Sequence, residues 1–237
     1  MQSKSEGLIL YVKSIKDNDL YIKVLSANDV VLPGLVYGGN SSKKRFTYQL
    51  GYLIEFNQLR KNSNSLNSIN GEIISPYVAN IYNDKFKSFS LLAIISILNE
   101  CIYEGAKTSG LFLSVKNLIN FINLNKNWLS NFCVWLLYLL KLLGYDIDYN
   151  NQKKMKYFNL NSLNFQNIPN NNNSIIFPYD LLNENKKVTY QSINSFFLIF
   201  ETVFKKNHLN YYKNEMPINY QNFKISVLKK LKNIKYE

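Results

Sequence analysis

The stretch GLILYVKS, residues 7–14, decides the fold of the first part of this sequence. Its side chains alternate between two faces, and one of these faces is entirely aliphatic: Leu8, Leu10 and Val12. The stretch LYIKVLS, residues 20–26, alternates in the same way, and the polar sequence KDND lies between the two. Two alternating stretches joined by a short polar turn predict an antiparallel β-hairpin whose aliphatic faces form a core.

Three further apolar stretches follow before residue 80. They are VVLPGLVYGG (30–39), YLIEFNQLR (52–60) and GEIISPY (71–77). Pro33 and Gly34 predict a bend or a bulge in the first of them. About five short strands without an intervening helix predict a small closed barrel.

From residue 84 onward the apolar residues recur at helical spacing. The clearest helical stretches are 86–104, 111–122, 128–145, 188–209 and 220–237. Gly144 is placed to end the third of these helices, and Thr189 to begin the fourth. We therefore predict an α+β protein with a barrel over residues 1–78 and an α-helical domain over 79–237. That helical domain contains an irregular, asparagine-rich segment at about 150–177, which holds at most one short hairpin and a loop at its run of asparagines.

The composition is strongly basic. The chain has 237 residues, with 28 Lys and Arg against 16 Asp and Glu, and a formal net charge of +12. This favours an acidic partner, although a codon bias toward lysine, asparagine and tyrosine gives the same total. The first apolar run is short and ends at Lys13, unlike a secretory signal, and no apolar stretch reaches the ~20 residues of a membrane span. We expect a cytoplasmic protein that does not bind membranes.

The sequence offers no recognisable catalytic constellation: neither a nucleophile with its base, nor a carboxylate pair, a metal cluster or a phosphate loop stands out. His208 is the only histidine and lies near the end of a predicted helix, where an imidazole interacts favourably with the helix dipole or caps a carbonyl. Cys101 and Cys133 lie in apolar helical patterns typical of core residues. We therefore expect no enzymatic activity, no cofactor and no metal.

A set of tyrosines and cations marks a candidate surface for nucleic acid. Aromatic rings stack on unpaired bases and amines bind phosphates, and the hairpin face opposite the aliphatic residues carries both types. The loop YGGNSSKKRFTYQ, residues 37–49, adds two glycines and three consecutive cations. Tyrosine also has a high strand propensity, so a purely structural role explains the hairpin face equally well. The predicted DNA contacts are Tyr11, Lys13, Tyr21, Lys23, Lys43, Lys44, Arg45, Arg60 and Lys61.

Several segments, in order, resemble the bacterial recombination mediator family RecO. EGLIL (6–10) opens the first strand, and GLVYGGNSSKKRF (34–46) matches a glycine followed by a basic, serine-containing loop that ends in Arg-Phe. LLYLLKLLGYDIDY (136–149) is similar to the family's helix ending in Leu-Gly-Tyr, and FFLIFETVFKKNHL (196–209) to a late helix with a terminal histidine. The resemblance extends over nearly the whole chain.

The resemblance implies an N-terminal oligonucleotide-binding (OB) barrel followed by a helical domain. It also implies a nucleoid-associated bacterial protein of DNA repair and recombination that binds single- and double-stranded DNA and anneals complementary strands. Its implied partners are RecR and the single-strand binding protein, with which it helps to load RecA onto coated strands. The loop glycines let the loop follow a DNA backbone, and its cations bind phosphates without reading bases. Candidates by charge for the acidic tail of the single-strand binding protein are Lys205, Lys206 and Lys213.

The sequence departs from the family in two places. Many members carry a four-cysteine zinc finger after the Leu-Gly-Tyr helix, whereas segment 150–177 contains no cysteine, so packing alone must hold it. The family's Leu-Gln-Pro after the basic loop is replaced by Gln49-Leu50-Gly51. Two other functions stay open: a protein-interaction scaffold without a direct DNA role, and a membrane-surface protein that acts through the basic terminal helix.

Overall fold

The computed structural model describes residues 4–15, 18–59, 66–74, 77–152, 155–169, 173–182, 188–209 and 215–233. The chain divides into two compact units, Met1–Leu124 and Asn125–Glu237. The first unit therefore holds the strands of the predicted barrel together with the first three helices. The predicted domain boundary at 78/79 stays a prediction.

A closed five-stranded barrel forms the N-terminal part of the first unit. Its strands are β1 (Ser5–Ser14), β2 (Leu20–Ser26), β3 (Val31–Val36), β4 (Leu53–Leu59) and β5 (Ser68–Ile73), in the order β1-β2-β3-β5-β4. All pairings are antiparallel except that of β3 with β5. The predicted barrel, with its hairpin of β1 and β2, is confirmed. The strand predicted over 71–77 is wrong at its end, because β5 stops at Ile73 and a helix begins at Tyr77.

The predicted core face of β1 is wrong in its first half. A β-bulge falls between Ile9, which pairs with Val24, and Tyr11, which pairs with Lys23. The extra residue at Leu10 reverses the alternation of the strand. Residues that pack inside the barrel include Ile9, Leu20, Ile22, Val24, Val36, Tyr48, Ile54, Phe56 and Ile69. No bulge occurs at Pro33 and Gly34, because the ladder between β2 and β3 runs through both residues without a shift.

Three helices complete the first unit. They are α1 (Tyr77–Tyr82), α2 (Lys85–Cys101) and α3 (Leu111–Leu124). Helices α2 and α3 pack against β1, where Leu8 and Leu10 are buried on the outer side of the barrel. Asp84 caps α2 by accepting hydrogen bonds from the backbone amides of Phe86 and Lys87. Leu8 and Leu10, which the sequence assigned to the barrel core, thus face helices instead, whereas Val12 after the bulge packs against the core as predicted.

The described part of the second unit is built around three α-helices of 14 to 19 residues. They are α4 (Leu129–Leu142), α5 (Tyr190–His208) and α6 (Ile218–Asn233). Two predicted helix ends are confirmed: Thr189 and Ser192 form a capping box on α5, and Gly144 follows α4 at φ +90°, a conformation that glycine adopts without strain. The core of this unit is aromatic, with the rings of Phe132 and Phe223 4.7 Å apart.

The segment at 150–177 is more regular than predicted. It forms a three-stranded antiparallel sheet from β6 (Tyr157–Asn159), β7 (Asn164–Gln166) and β8 (Ser174–Ile176), in the order β7-β6-β8. A 3₁₀ helix, Tyr179–Leu182, follows. The aromatic residues that pack together around the sheet are Tyr149, Phe158, Phe165, Phe177 and Tyr179. Aromatic packing therefore organises this part of the chain. Strands β6 and β7 form the one short hairpin predicted here, and β8 extends it to a sheet that the asparagine-rich composition did not indicate.

Candidate nucleic-acid interface

The basic loop, residues 37–49, leaves the barrel at the end of β3 as a series of turns. Gly38 has a φ of +64°, and its N–H donates to the Asp19 Oδ1 at 2.8 Å. The amide of Asn40 donates to the carbonyl oxygen of Asn18 at 2.8 Å. These bonds fix the start of the loop against the residues that precede β2, in contrast to the flexible loop expected from its glycines.

The middle of the loop is one tight turn that carries the three cations. The Ser41 carbonyl oxygen accepts hydrogen bonds from the amides of Lys44 at 3.1 Å and Arg45 at 2.9 Å. Lys43, Lys44 and Arg45 are all exposed, and none of them is paired with a carboxylate among the described residues. The loop therefore presents three uncompensated positive charges on a shaped backbone.

Two contacts around the cations limit their freedom. The Lys44 Nζ donates to the Tyr37 carbonyl oxygen at 3.3 Å. The Arg45 guanidinium carbon lies 5.1 Å from the ring centroid of Phe46, a cation–π contact, and Phe46 is itself 63% exposed. An exposed aromatic ring beside a guanidinium is a surface on which a base can stack.

Tyr48 anchors the end of the loop inside the barrel. Its hydroxyl group accepts from the amide of Gly71 at 2.9 Å and donates to the Gly71 carbonyl oxygen at 3.2 Å. Burial raises the pKa of Tyr48, so the hydroxyl group stays protonated. The cationic turn is thus fixed at both ends to the strands of the barrel.

The outer face of the β1–β2 hairpin brings the predicted tyrosines and lysines together. Tyr11 lies opposite Lys23, and Lys13 lies opposite Tyr21. The rings of Tyr11 and Tyr21 are in edge contact, with centroids 6.1 Å apart, and the Lys23 ammonium lies 5.7 Å from the Tyr11 ring centroid. Lys13 is exposed. The predicted sharing of one face is confirmed, and the binding of DNA by these residues stays a prediction.

Glu104, which the sequence analysis missed, reaches this same face. Its carboxylate lies 2.7 Å from the Lys23 Nζ and accepts a hydrogen bond from the Tyr21 hydroxyl group at 3.0 Å. The bond from Lys23 lowers the pKa of Glu104, while burial and Glu104 together raise that of Tyr21 to about 12. No local pattern marks this residue, because it follows Lys23 by some 80 positions and meets it only through the packing of the α2–α3 connection on β3.

The other predicted contact residues lie elsewhere. Arg60, Lys61 and Lys213 fall outside the described residues. Lys206 is exposed in the last turn of α5, and Lys205 lines a cleft of about 340 Å³ beside α6.

That cleft between α5 and α6 has mixed charge. Besides Lys205 it is lined by Lys224 and by two carboxylates, Glu201 and Glu215. Lys224 is already paired with Glu201 at 2.7 Å. An acidic ligand therefore meets less free positive charge here than the lysines alone suggest.

His208 is the last residue of α5, as predicted, but it packs as an aromatic ring. Its imidazole lies 5.1 Å from the ring centroid of Tyr145 and 5.0 Å from that of Phe204. Its Nε2 is buried without a hydrogen-bond partner among the described residues, and burial lowers the pKa of the imidazole. A neutral ring of this kind stabilises the helical unit by packing and not as a cation on the helix dipole.

The described residues contain no metal-binding cluster of side chains. No group of three or more His, Cys, Asp or Glu side chains among them could hold a metal ion. Cys101 and Cys133 are buried, as predicted, and burial raises the pKa of the Cys101 thiol to about 12, far from the range of a reactive thiolate. None of the described helices is long and apolar enough to cross a bilayer.

A small closed barrel with an exposed cationic loop defines an OB-fold protein, joined here to a largely helical second unit. A family model described as the N-terminal domain of recombination protein O matches residues 1–77. The chain is also 27% identical over 202 residues to the DNA repair protein RecO of Rickettsia canadensis, covering 81% of this chain and 83% of that protein. It is 29% identical over 149 residues to the DNA repair protein RecO of Rickettsia akari, covering 62% of each. Residues 1–77 thus match the RecO N-terminal domain, and most of the chain is similar to these RecO proteins.

Proposed function

We propose that this chain is a non-enzymatic recombination mediator of DNA repair that binds DNA through its barrel. The observation that carries the proposal is the turn at Lys43, Lys44 and Arg45. It exposes three cations that pair with no carboxylate among the residues described, on a loop fixed to an OB barrel. The names of the relatives, DNA repair proteins of the RecO family, support the same role. Cations that bind phosphates hold a strand without regard to its sequence.

The binding mode follows from this geometry. Single- and double-stranded DNA both present phosphates, so the loop binds either form. Annealing of two complementary strands follows when their charge repulsion is neutralised while base edges stay free to pair. Arg45 adds a planar fork of donors that can hold one phosphate in two bonds, which a lysine cannot do.

The protein partners form the second part of the proposal. With RecR, the protein helps to load RecA onto strands covered by the single-strand binding protein, in the bacterial cytoplasm and at the nucleoid. Lys205 and Lys206 are the described candidates for the acidic tail of the single-strand binding protein. Glu201 and Glu215 in the neighbouring cleft favour Lys206, which is exposed, as the primary contact.

The proposal is tested by measuring affinity for single-stranded DNA against salt concentration, using fluorescence anisotropy. The variant replaces Lys43, Lys44 and Arg45 with alanine. A matched control removes three exposed cations of the second unit: Lys126, Lys229 and Lys232. Each lost phosphate contact is expected to reduce the steepness of the log–log salt dependence by about 0.7.

The outcomes separate the candidate functions. If the loop variant alone binds more weakly and with a shallower salt dependence, the DNA contacts lie on the loop. Equal losses in both variants indicate a net-charge effect without a specific site. Absence of DNA binding at low salt rejects the mediator and favours the interaction scaffold. Binding to anionic vesicles that is lost on deleting residues 220–237 favours the membrane-surface protein.

A further inference from the structure

The first unit contains a cleft beside the basic loop, and the proposed phosphate contacts do not depend on it. Residues of β1, β2, α1 and the basic loop line it, and its volume is about 250 Å³. This is smaller than the roughly 300–1,000 Å³ of pockets that hold drug-sized ligands. The space therefore suits one small group.

The lining from the barrel is mainly apolar. Val12 of β1 and Leu20 of β2 contribute aliphatic side chains, and Leu50 and the ring of Tyr48 complete the apolar part. Because both hydrogen bonds of the Tyr48 hydroxyl group go to Gly71, this residue supplies the cleft with a ring and not with a polar group. An apolar lining of this kind favours burial of the face of an aromatic ring.

Three polar side chains of the basic loop also line the cleft: Asn40, Arg45 and Gln49. The Gln49 Nε2 donates to the Arg45 carbonyl oxygen at 2.5 Å, which leaves Oε1 as an acceptor. Asn40 supplies a whole carboxamide, with a donor and an acceptor. Carboxamides match the mixed donor and acceptor edge of a nucleobase, whereas an acidic peptide requires donors only.

Tyr82 of α1 forms the remaining wall. Its hydroxyl group donates to the Leu50 carbonyl oxygen at 3.1 Å, which holds the helix against the end of the loop. Burial raises the pKa of Tyr82, so this bond persists at neutral pH. The cleft is therefore shaped before a ligand arrives.

We propose that this cleft binds a single unstacked base of a DNA strand whose phosphates lie along Lys43, Lys44 and Arg45. Arg45 belongs to both surfaces, since it lines the cleft and is part of the cationic turn. The inference rests on the proposed function and deepens it, because it adds a base contact to an interface of phosphate contacts. A base has to leave its stack to enter, so the cleft favours single strands over duplexes.

The test compares two strands of equal length and charge: an oligothymidylate and a fully abasic strand. Binding of both is measured by anisotropy for the wild type, for Gln49→Ala and for Asn40→Ala. Asn28→Ala is the control, because Asn28 is an exposed amide in the β2–β3 turn and does not line the cleft. The strand comparison on the wild type needs no substitution, so it holds even where a variant disturbs the loop.

The wild type is expected to bind the oligothymidylate at least about five-fold more tightly than the abasic strand. Gln49→Ala and Asn40→Ala should reduce this preference and leave the salt dependence unchanged, while Asn28→Ala should keep both. A preference that survives both cleft variants belongs to the hairpin tyrosines or Phe46 and overturns the inference.

The remaining outcomes separate this inference from the proposed function. Equal wild-type binding of the two strands overturns the base site and leaves the DNA-binding function intact. No binding of either strand at low salt overturns both. Competition with thymidine monophosphate distinguishes a site for a strand from a site for a free nucleotide. Displacement of the bound strand at micromolar concentrations of the nucleotide identifies a nucleotide site and rejects the proposed base site. Displacement only at millimolar concentrations supports the base site.

Discussion

The Glu104 carboxylate lies 2.7 Å from the Lys23 ammonium, on the face of the barrel that also carries Tyr11 and Tyr21. The Glu104 carboxylate repels phosphate, and its ion pair with Lys23 engages an ammonium group that could otherwise bind phosphate. The Glu104 segment is held there by the backbone, since the amide of Gly105 donates to the Val31 carbonyl oxygen at 3.0 Å. Of the two surfaces predicted to bind DNA, the hairpin face is therefore partly neutralised, whereas the cations of the basic loop pair with no carboxylate in the described part of the chain.

Replacing Glu104 with glutamine is expected to strengthen binding of single-stranded DNA. The variant keeps the size of the side chain and frees Lys23 for one more phosphate contact. Affinity at low salt should rise about two- to five-fold, and the salt dependence should become steeper by about 0.7 on the log–log plot. Anisotropy titrations at several salt concentrations measure both quantities.

The control for this variant is Glu72→Gln, which makes the same change of charge at an exposed position of β5. An equal gain in both variants indicates a general charge effect. Unchanged affinity in Glu104→Gln places the hairpin face outside the DNA interface.

Asp29 is expected to stabilise the first unit strongly for a residue in a turn. It has a φ of 64°, and its carboxylate accepts from the amides of Gly110 at 2.7 Å and Phe112 at 2.8 Å, at the start of α3. Asp29→Ala loses these bonds and places alanine in the left-handed region, so the free energy of unfolding should fall by about 2–3 kcal/mol. Urea unfolding followed by circular dichroism measures the change. Asn28→Ala in the same turn should change it by less than about 0.5 kcal/mol, and an effect of equal size would refute the role of Asp29.

Phe158 is expected to hold the three-stranded sheet together. Its side chain is fully buried, and its ring centroid lies 5.2 Å from that of Phe165. Phe158→Ala is expected to destabilise this part of the chain by about 3–5 kcal/mol, because it removes a fully buried ring. Strands of three residues have too few other contacts to offset that loss, so the sheet should unfold locally. Limited proteolysis with mass spectrometry should then find cuts within 155–177, while the helices stay resistant. The neighbouring Tyr157→Ala, at a half-buried position, serves as the control, and equal resistance in Phe158→Ala contradicts the prediction.

His208 is expected to make the second unit less stable in mild acid. Burial lowers its pKa in the folded state, so the unfolded chain binds a proton more readily there. The stability from the neutral ring is present above the ordinary histidine pKa of about 6.5 and is lost as the pH falls through and below it. The midpoint of thermal unfolding should therefore drop between pH 7.5 and pH 5.5. Because His208 is the only histidine, His208→Phe should remove this dependence, and a variant with the full pH dependence would assign it to other groups.

The sequence predicted the barrel and the helices because both depend on local patterns. Alternation in 7–14 and 20–26 identified the first hairpin, and the change to helical spacing after residue 84 identified the helices. The capping residues lie where the sequence predicted them: the Thr189 side chain accepts from the Ser192 amide at the start of α5, and Gly144 follows α4. Such features depend on neighbours in sequence, so composition and spacing are sufficient to find them.

The sequence-based predictions that were wrong or incomplete share a different cause. The bulge in β1 depends on which residues of β2 pair with it, so alternation within β1 assigned Ile9 to the wrong face. The strands at 157–176 are three residues long, too short to show a period, and long-range contacts between aromatic rings define them. Composition indicated an irregular segment with one short hairpin, whereas tertiary packing produced a three-stranded sheet.

By itself the sequence determined the fold class, the order of elements and the presence of three cations in one short loop, because these follow from residue type and spacing. Only the tertiary structure decided which cations are free. Lys23 and Glu104 meet because the α2–α3 connection packs along β3, and the cleft beside Arg45 exists because Tyr82 of α1 bonds to Leu50 at the end of the basic loop. Charge and volume at a surface depend on residues distant in sequence, and only packing brings those residues together.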